Sequence, residues 1–268
     1  MYDCANSVYN LVITSTIFPA YYEAMTKERT DSNGVSYVTF FGREYVNTSL
    51  YNYALGISFI VVALILPMLT SIADYKGNKK KFLFFFCTMG SLACSSMFFY
   101  DSSNLGFGLA AMIIACIGFW SSYVFSNSYL PEIAAPEDRD RISAKGFSYG
   151  YAGSVILQVI CFVFVMKPDV FGIAEEGTLK YRICFLLVGI WWWGFAQYSL
   201  SRLPKGTPAG DLSLSKGNVF SNGYLELQKV WNQLTHLPVL KRYLSAFFFY
   251  NMGVQTVMLA ATLYGKSE

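Results

Sequence analysis

Histidine is almost absent: the chain has one, His236, in a polar stretch. Metal-dependent or nucleophilic catalysis inside a membrane needs clustered His, Asp and Glu ligands or an activated nucleophile. One loop histidine therefore argues against an enzyme, and no metal or cofactor is expected. Charge is scarce too, at 14% of residues against about 25% in a soluble domain. A formal net charge of +3 is too small to suggest a nucleic-acid partner. The six cysteines (Cys4, Cys87, Cys94, Cys116, Cys161 and Cys184) all fall in apolar blocks without a CxxC pair. That placement suits buried free thiols rather than disulfides or a metal site. No basic region precedes the first apolar block, so a cleaved signal peptide is not expected.

What the chain has in quantity is apolar residues, 54% of the total, with 18% aromatic. They come in long blocks, and a helix needs roughly 20 apolar residues to cross the hydrocarbon core. Blocks near residues 4–24, 50–73, 82–100, 105–130, 147–166, 182–201 and 243–264 read as membrane spans. The first is the least apolar, carrying Asn6, Ser7, Asn10 and Thr14. Segments 74–81, 131–146 and 202–242 hold thirteen Lys and Arg, whereas 25–49, 101–104 and 167–182 hold six. The excess marks the first set as cytoplasmic and places the N-terminus inside.

Short connections join spans two to six, and then about forty polar residues separate span six from span seven. The stretch opens with Arg202-Leu203-Pro204-Lys205-Gly206-Thr207-Pro208, a linker composition. Within it Leu227, Val230, Trp231 and Leu234 recur at helical spacing, predicting an amphipathic helix on the cytoplasmic membrane surface. The expected organisation is a six-helix transmembrane bundle over 1–201, a cytoplasmic linker over 202–242, and over 243–268 the first helix of a second bundle.

The turn between spans two and three reads Thr70-Ser71-Ile72-Ala73-Asp74-Tyr75-Lys76-Gly77-Asn78-Lys79-Lys80-Lys81. It resembles the Gly-x-Leu-Ala-Asp-Arg-x-Gly-Arg-Arg loop signature of the major facilitator superfamily. Ala73, Asp74, Gly77 and Lys79 match, while Thr70 and Tyr75 depart from the pattern. A carboxylate at a helix end can pair with a basic residue or a facing helix N-terminus, and Gly77 permits a tight turn. Asp74, Gly77 and Lys79 are accordingly expected to form a conformational latch.

Tyr2-Asp3-Cys4-Ala5-Asn6-Ser7-Val8-Tyr9, Asn127-Ser128-Tyr129-Leu130-Pro131-Glu132-Ile133-Ala134, Ile142-Ser143-Ala144-Lys145-Gly146-Phe147-Ser148-Tyr149-Gly150-Tyr151 and Tyr250-Asn251-Met252-Gly253-Val254-Gln255-Thr256 resemble segments of the vacuole-effluxer-like branch of that superfamily. They occur in family order across nearly the whole chain, with Cys4 where the branch usually has tryptophan. The resemblance implies an all-α polytopic bundle of the major facilitator fold and export of a small solute such as an amino acid by alternating access. Here the first six-helix bundle and the first helix of the second are present. It implies no substrate, leaves proton coupling open, and suggests a monomer at full length. The lipid bilayer is the other partner. The expected location is a bacterial cytoplasmic membrane, or a vacuolar membrane in a fungal host.

The residues add a path. Asp3, Asn6, Asn10 and Thr14 make a polar stripe on span one, and Asn251 and Gln255 make another on span seven. Polar groups are costly against lipid, so Asp3, Asn6, Asn10, Asn251 and Gln255 are expected to line an aqueous path between two bundles. The competing reading is interhelical hydrogen bonding without a ligand. Gly146, Gly150 and Gly153 predict close packing at the start of span five, and Trp191-Trp192-Trp193 predict volume filling. Glu132 is expected to pair with Arg139 or Arg141. A seven-span receptor is the rival reading, but an internal N-terminus is the wrong orientation. No lysine sits within span seven to hold retinal either, since Lys266 lies beyond it.

Overall fold

The computed structural model describes the backbone of residues 1–26, 29–31, 35–175, 177–204, 228–229, 231–234 and 236–267, and among these all side chains except those of Arg29, Gln255 and residues 258–267. Contacts divide the chain into two units, Met1–Leu66 with Gly77–Thr207, and Pro67–Lys76 with Pro208–Glu268.

The first unit is a helical bundle. Helix α1 covers residues 2–26 in three unbroken segments, α-helical Tyr2–Val8, π-helical Tyr9–Ile17 and α-helical Phe18–Thr26. It is followed by α2 (Asn47–Lys76), α3 (Lys79–Ser96), α4 (Leu105–Asn127), α5 (Arg139–Met166) and α6 (Leu179–Arg202). With their short flanking turns, α2 to α6 are long and apolar enough to cross a membrane. The helix limits follow local chemistry. Asp101 caps the turn before α4, accepting from the Ser103 backbone N–H at 2.9 Å, while Asn104 Oδ1 accepts from the Asp101 N–H at 2.8 Å. α6 stops where Leu203 turns extended (φ −72°, ψ 139°) ahead of Pro204.

One element departs from the all-α expectation. Residues between α1 and α2 form a three-stranded antiparallel sheet of β1 (Arg29–Thr30), β2 (Ser36–Phe40) and β3 (Arg43–Val46). Ser-Tyr-Val-Thr-Phe is a β-branched and aromatic run, which favours a strand. Phe41 (φ 49°) and Gly42 (φ 74°) close the β2–β3 hairpin. Two left-handed residues in a two-residue loop make the turn whose twist matches the strands.

Small residues set how closely the helices approach. A Cβ on Gly118 of α4 would meet Gly90 Cα of α3 at 2.6 Å, and one on Gly189 of α6 would meet the Ser91 carbonyl of α3 at 2.8 Å. Helices that lie in lipid gain mostly from such van der Waals approach. Aromatic rings fill the remaining core. Tyr9 lies 5.1 Å from Phe119 and 5.6 Å from Trp192, and Phe18 meets Tyr51, Tyr100 and Phe185 at 6.0–6.1 Å. Of the three consecutive tryptophans, Trp192 is fully buried, Trp191 donates its indole N–H to the Cys4 carbonyl at 3.0 Å, and Trp193 is exposed.

Polar contacts identify the two ends of this bundle. At one end Lys79 Nζ meets Glu132 Oε1 at 2.7 Å and Lys80 Nζ donates to the Leu203 carbonyl at 2.8 Å. The α2–α3 turn and the ends of α4 and α6 therefore share one end, and it carries the basic segments. At the other, Tyr21 donates to the Tyr100 carbonyl at 2.6 Å and Tyr22 to the Asn47 carbonyl at 3.1 Å. The expected Glu132 pairing is corrected here. Arg141 instead pairs with Asp138 at 3.0 Å and Arg139 Nε donates to the Ala134 carbonyl at 3.4 Å. The reason is local: Ala134 is extended (φ −134°, ψ 131°), so the chain turns away after Glu132, and Arg139 and Arg141 start the next helix.

The second unit contains the last turns of α2, from Pro67, and α7 (Pro238–Ser267). Of the predicted amphipathic helix, 231–234 is helical, as are residues 228–229, and Trp231 is exposed. Leu227 and Val230 lie outside the described residues.

Candidate functional site

α1 packs most closely on α5, and the reason lies on α5 itself. Gly146, Gly150 and Gly153 present bare backbone to α1. A Cβ on Gly150 would meet Ser7 Oγ at 2.7 Å; one on Gly146 would collide with the Asp3 carboxylate, and one on Gly153 with Cys4 Sγ. The three glycines thus seat the three polar or polarisable side chains of the first turns of α1.

The structure distributes the predicted stripe among different surroundings. Asp3 is half-buried on Gly146. Asn6 is 1% exposed, and its Oδ1 accepts from the Ser122 hydroxyl of α4 at 3.3 Å. Asn10, one turn on, is exposed, and its carbonyl accepts from the Ser15 hydroxyl at 2.9 Å. The Thr14 carbonyl accepts from the Tyr51 hydroxyl at 3.2 Å. Within the bundle, Asn6 therefore works as an interhelical contact, while Asp3 and Asn10 keep open sides. In the second unit Asn251 is exposed on α7; the Gln255 side chain lies outside the described residues.

Two features escaped the sequence reading. One is the π segment, where nine consecutive residues adopt the wide helix. Such segments are rare and mostly single-turn bulges, frequently at functional sites. The Ser15 and Thr16 hydroxyls reach carbonyls five residues back, Asn10 O at 2.9 Å and Leu11 O at 2.5 Å. The other is Gln158 of α5, 7% exposed, whose Oε1 lies 2.9 Å from Thr16 Oγ1. Its Nε2 has no hydrogen-bond partner. A lone amide in Val155-Ile156-Leu157-Gln158-Val159-Ile160 was the signal available. On α4, Trp120 and Tyr123 stand edge to face at 6.2 Å, and Trp120 meets Phe59 of α2 at 6.1 Å.

The candidate latch residues fall in both units. Gly77 takes φ +64° directly after the last residue of α2 and opens the turn to α3, a conformation glycine adopts without cost. Lys79 makes the pair with Glu132 already described. Asp74 is exposed in the last turns of α2, within the second unit. The basic end of the first unit holds a cavity of about 550 Å³ between α1, α4, α5 and α6, with Asp3, Asn127, Lys145, Tyr149, Tyr198 and Arg202 among its lining residues. No group of three or more metal-ligating side chains occurs among the described residues.

Comparisons with known proteins agree with this architecture. The chain matches the family described as vacuole effluxer Atg22 like over residues 1–139 and 133–268. It is 27% identical over 266 residues to a Bacillus subtilis protein named uncharacterized MFS-type transporter YxiO, covering 99% of this chain and 59% of that protein. It is 25% identical to autophagy-related protein 22-1 of Aspergillus clavatus, covering 86% of this chain and 49% of that one. Identity is also 25% to autophagy-related protein 22-2 of Neosartorya fischeri, covering 91% and 51%. The chain thus spans about half the length of the curated relatives it matches. No solved structure matches it. Five long apolar helices, the superfamily loop signature and these relatives together make it a multi-pass membrane protein of the major facilitator fold. The chain belongs to the vacuole effluxer Atg22-like family.

Proposed function

We propose that the protein is a secondary transporter that exports a small solute such as an amino acid by alternating access, and that this chain supplies its first bundle. The supporting observation is α1. A helix that keeps Asp3 and Asn10 open, and changes to π geometry at Tyr9 between them, packs against α4, α5 and α6. Polar groups in a membrane helix mark solute and ion pathways, because they are costly against lipid. We assign Asp3 and Asn10, with Asn251 and Gln255 of α7, to the solute path. Asn6 is the positioning residue that fixes α1 on α4 through Ser122. Asp74, Gly77 and Lys79 form the latch that biases one access state. The effluxer family name and the transporter name of the Bacillus subtilis relative support the direction and the class.

The test is efflux of labelled amino acids from vesicles containing the full-length gene product, with and without an imposed proton gradient. Efflux above empty vesicles, reduced by Asn10→Leu while insertion is unchanged, supports the reading. Efflux equal to empty vesicles for all twenty amino acids rejects the substrate class. Acceleration by the gradient establishes proton coupling, and indifference to it excludes coupling.

A further inference from the structure

The cavity at the basic end carries charges of both signs that do not neutralise one another. Asp3 comes from α1, Lys145 from α5 and Arg202 from α6, and all three line the same space of about 550 Å³. That volume lies within the range of about 300–1,000 Å³ typical of ligand sites. Among the described residues no basic side chain forms an ion pair with Asp3, which the Met1 ammonium lining the same cavity attracts from beyond ion-pair distance, and no carboxylate forms one with Lys145 or Arg202. The Arg202 guanidinium is instead held over the Tyr198 ring, 5.4 Å from its centroid. The Asp3 carboxylate rests on Gly146, where any side chain would displace it. Opposite charges held apart across one cavity suit a single ligand that carries an ammonium and an anionic group together.

The vertical order of the lining favours a lipid as the source. Tyr149 follows Lys145 by one turn of α5, and Tyr198 precedes Arg202 by one turn of α6. Each tyrosine is thus about 6 Å deeper along its helix than the charge. Both tyrosines are 51% exposed. Charges at phosphate depth with tyrosines one turn below them match a membrane–water interface. Basic pockets between helices on the cytoplasmic side suit phospholipid headgroups. We propose that this cavity binds the headgroup of a zwitterionic phospholipid, with its primary ammonium on Asp3 and its phosphate on Lys145 and Arg202. The proposal gives Asp3 a second role beside the solute path, and its test reads lipid retention rather than transport.

The experiment is native mass spectrometry of the chain purified in detergent and incubated with equimolar phosphatidylethanolamine and phosphatidylglycerol. Wild type should retain phosphatidylethanolamine in preference. Asp3→Asn should weaken its retention by about tenfold or more and leave phosphatidylglycerol unchanged, as loss of one charge-assisted hydrogen bond requires. Lys145→Gln combined with Arg202→Gln should lower retention of both lipids. Gly146→Ala, which displaces the carboxylate without removing a charge, should also lose the preference; circular dichroism checks that each variant is folded. Equal retention of the two lipids by wild type, or an unchanged preference in folded Asp3→Asn, overturns the proposal. Melting temperature with soluble glycerophosphoethanolamine distinguishes the source. Stabilisation equal to that by the lipid would assign the cavity to a free zwitterion and overturn the lipid assignment. Stabilisation by the lipid alone supports it.

Discussion

Gly118→Ala is the most direct test of the packing that positions the site. A Cβ at residue 118 would stand 2.6 Å from Gly90 Cα, 2.8 Å from Gly90 N and 2.9 Å from the Phe86 carbonyl oxygen. All three are backbone atoms, so no rotamer change can make room. Carbon atoms rest at about 3.5–4.0 Å, so α3 and α4 must separate by about 1 Å, enough to forfeit a quarter to a half of each affected contact. Overpacking of this kind costs about 1–3 kcal/mol. Alanine also raises helix propensity by about 1 kcal/mol, which would mask part of the loss. Gly194→Ala removes that ambiguity, because Gly194 is also helical and a Cβ there would meet nothing within 4 Å. The difference between the two variants cancels propensity and leaves about 1–3 kcal/mol, or roughly 2–4 °C in Tm for each kcal/mol. Thermal unfolding in detergent, followed by circular dichroism, reads it. If Gly118→Ala melts at or above Gly194→Ala, the close α3–α4 crossing is wrong.

Other expectations are separate. Lys79→Gln and Glu132→Gln should each destabilise the bundle by about 1.5–3 kcal/mol, because a charge-assisted bond is lost in a partly covered site; the exchanged pair Lys79→Glu with Glu132→Lys should recover most of that in a melting assay, and equal loss in all three variants would deny the pair any role. Tags inserted at 76–80 should be reached by impermeant reagents only from the cytoplasmic side and tags at 35–40 only from the other; labelling of both from one side would invert the reading of the basic segments. In a cysteine-free background Asn10→Cys should react quickly with a small water-soluble thiol reagent and be protected by substrate, whereas Asn6→Cys should react slowly because the site is buried; equal rates would remove α1 from the path. Asp74→Asn in the full-length protein should leave insertion intact and impair transport, and unchanged transport would reduce Asp74 to a helix-end residue.

The helices were legible because lipid imposes a simple rule. About twenty apolar residues make a span, and the basic segments between spans collect at one end, as the Lys79–Glu132 and Lys80–Leu203 contacts show. The small sheet was hidden because Ser36–Phe40 is short and the turn at Phe41-Gly42 lacks the usual Asn-Gly or Asp-Gly pair. The site was legible only in part. Spacing of three and four placed Asp3, Asn6 and Asn10 on one stripe, but a stripe is a property of one helix, and its surroundings belong to the neighbours. At the depth of Asn6 a serine on α4 is within reach; one turn further on, Asn10 is exposed. The π segment was illegible for a related reason. Its backbone register is stabilised partly by Thr16, whose hydroxyl meets both the Leu11 carbonyl and Gln158 on α5, and α5 lies more than a hundred residues away in sequence. A hydroxyl has one proton. If it goes to Leu11, the bond to α5 requires the Gln158 amide to present its NH₂ to Thr16, which would also satisfy the buried nitrogen that otherwise lacks a partner. Gln158→Leu would break this link without changing side-chain length much. The expected result is a return of residues 9–17 toward α geometry, read as changed labelling at Asn10→Cys while Asn6→Cys, which precedes the segment, labels as before. An unchanged labelling pattern would show that the π register is set within α1 alone.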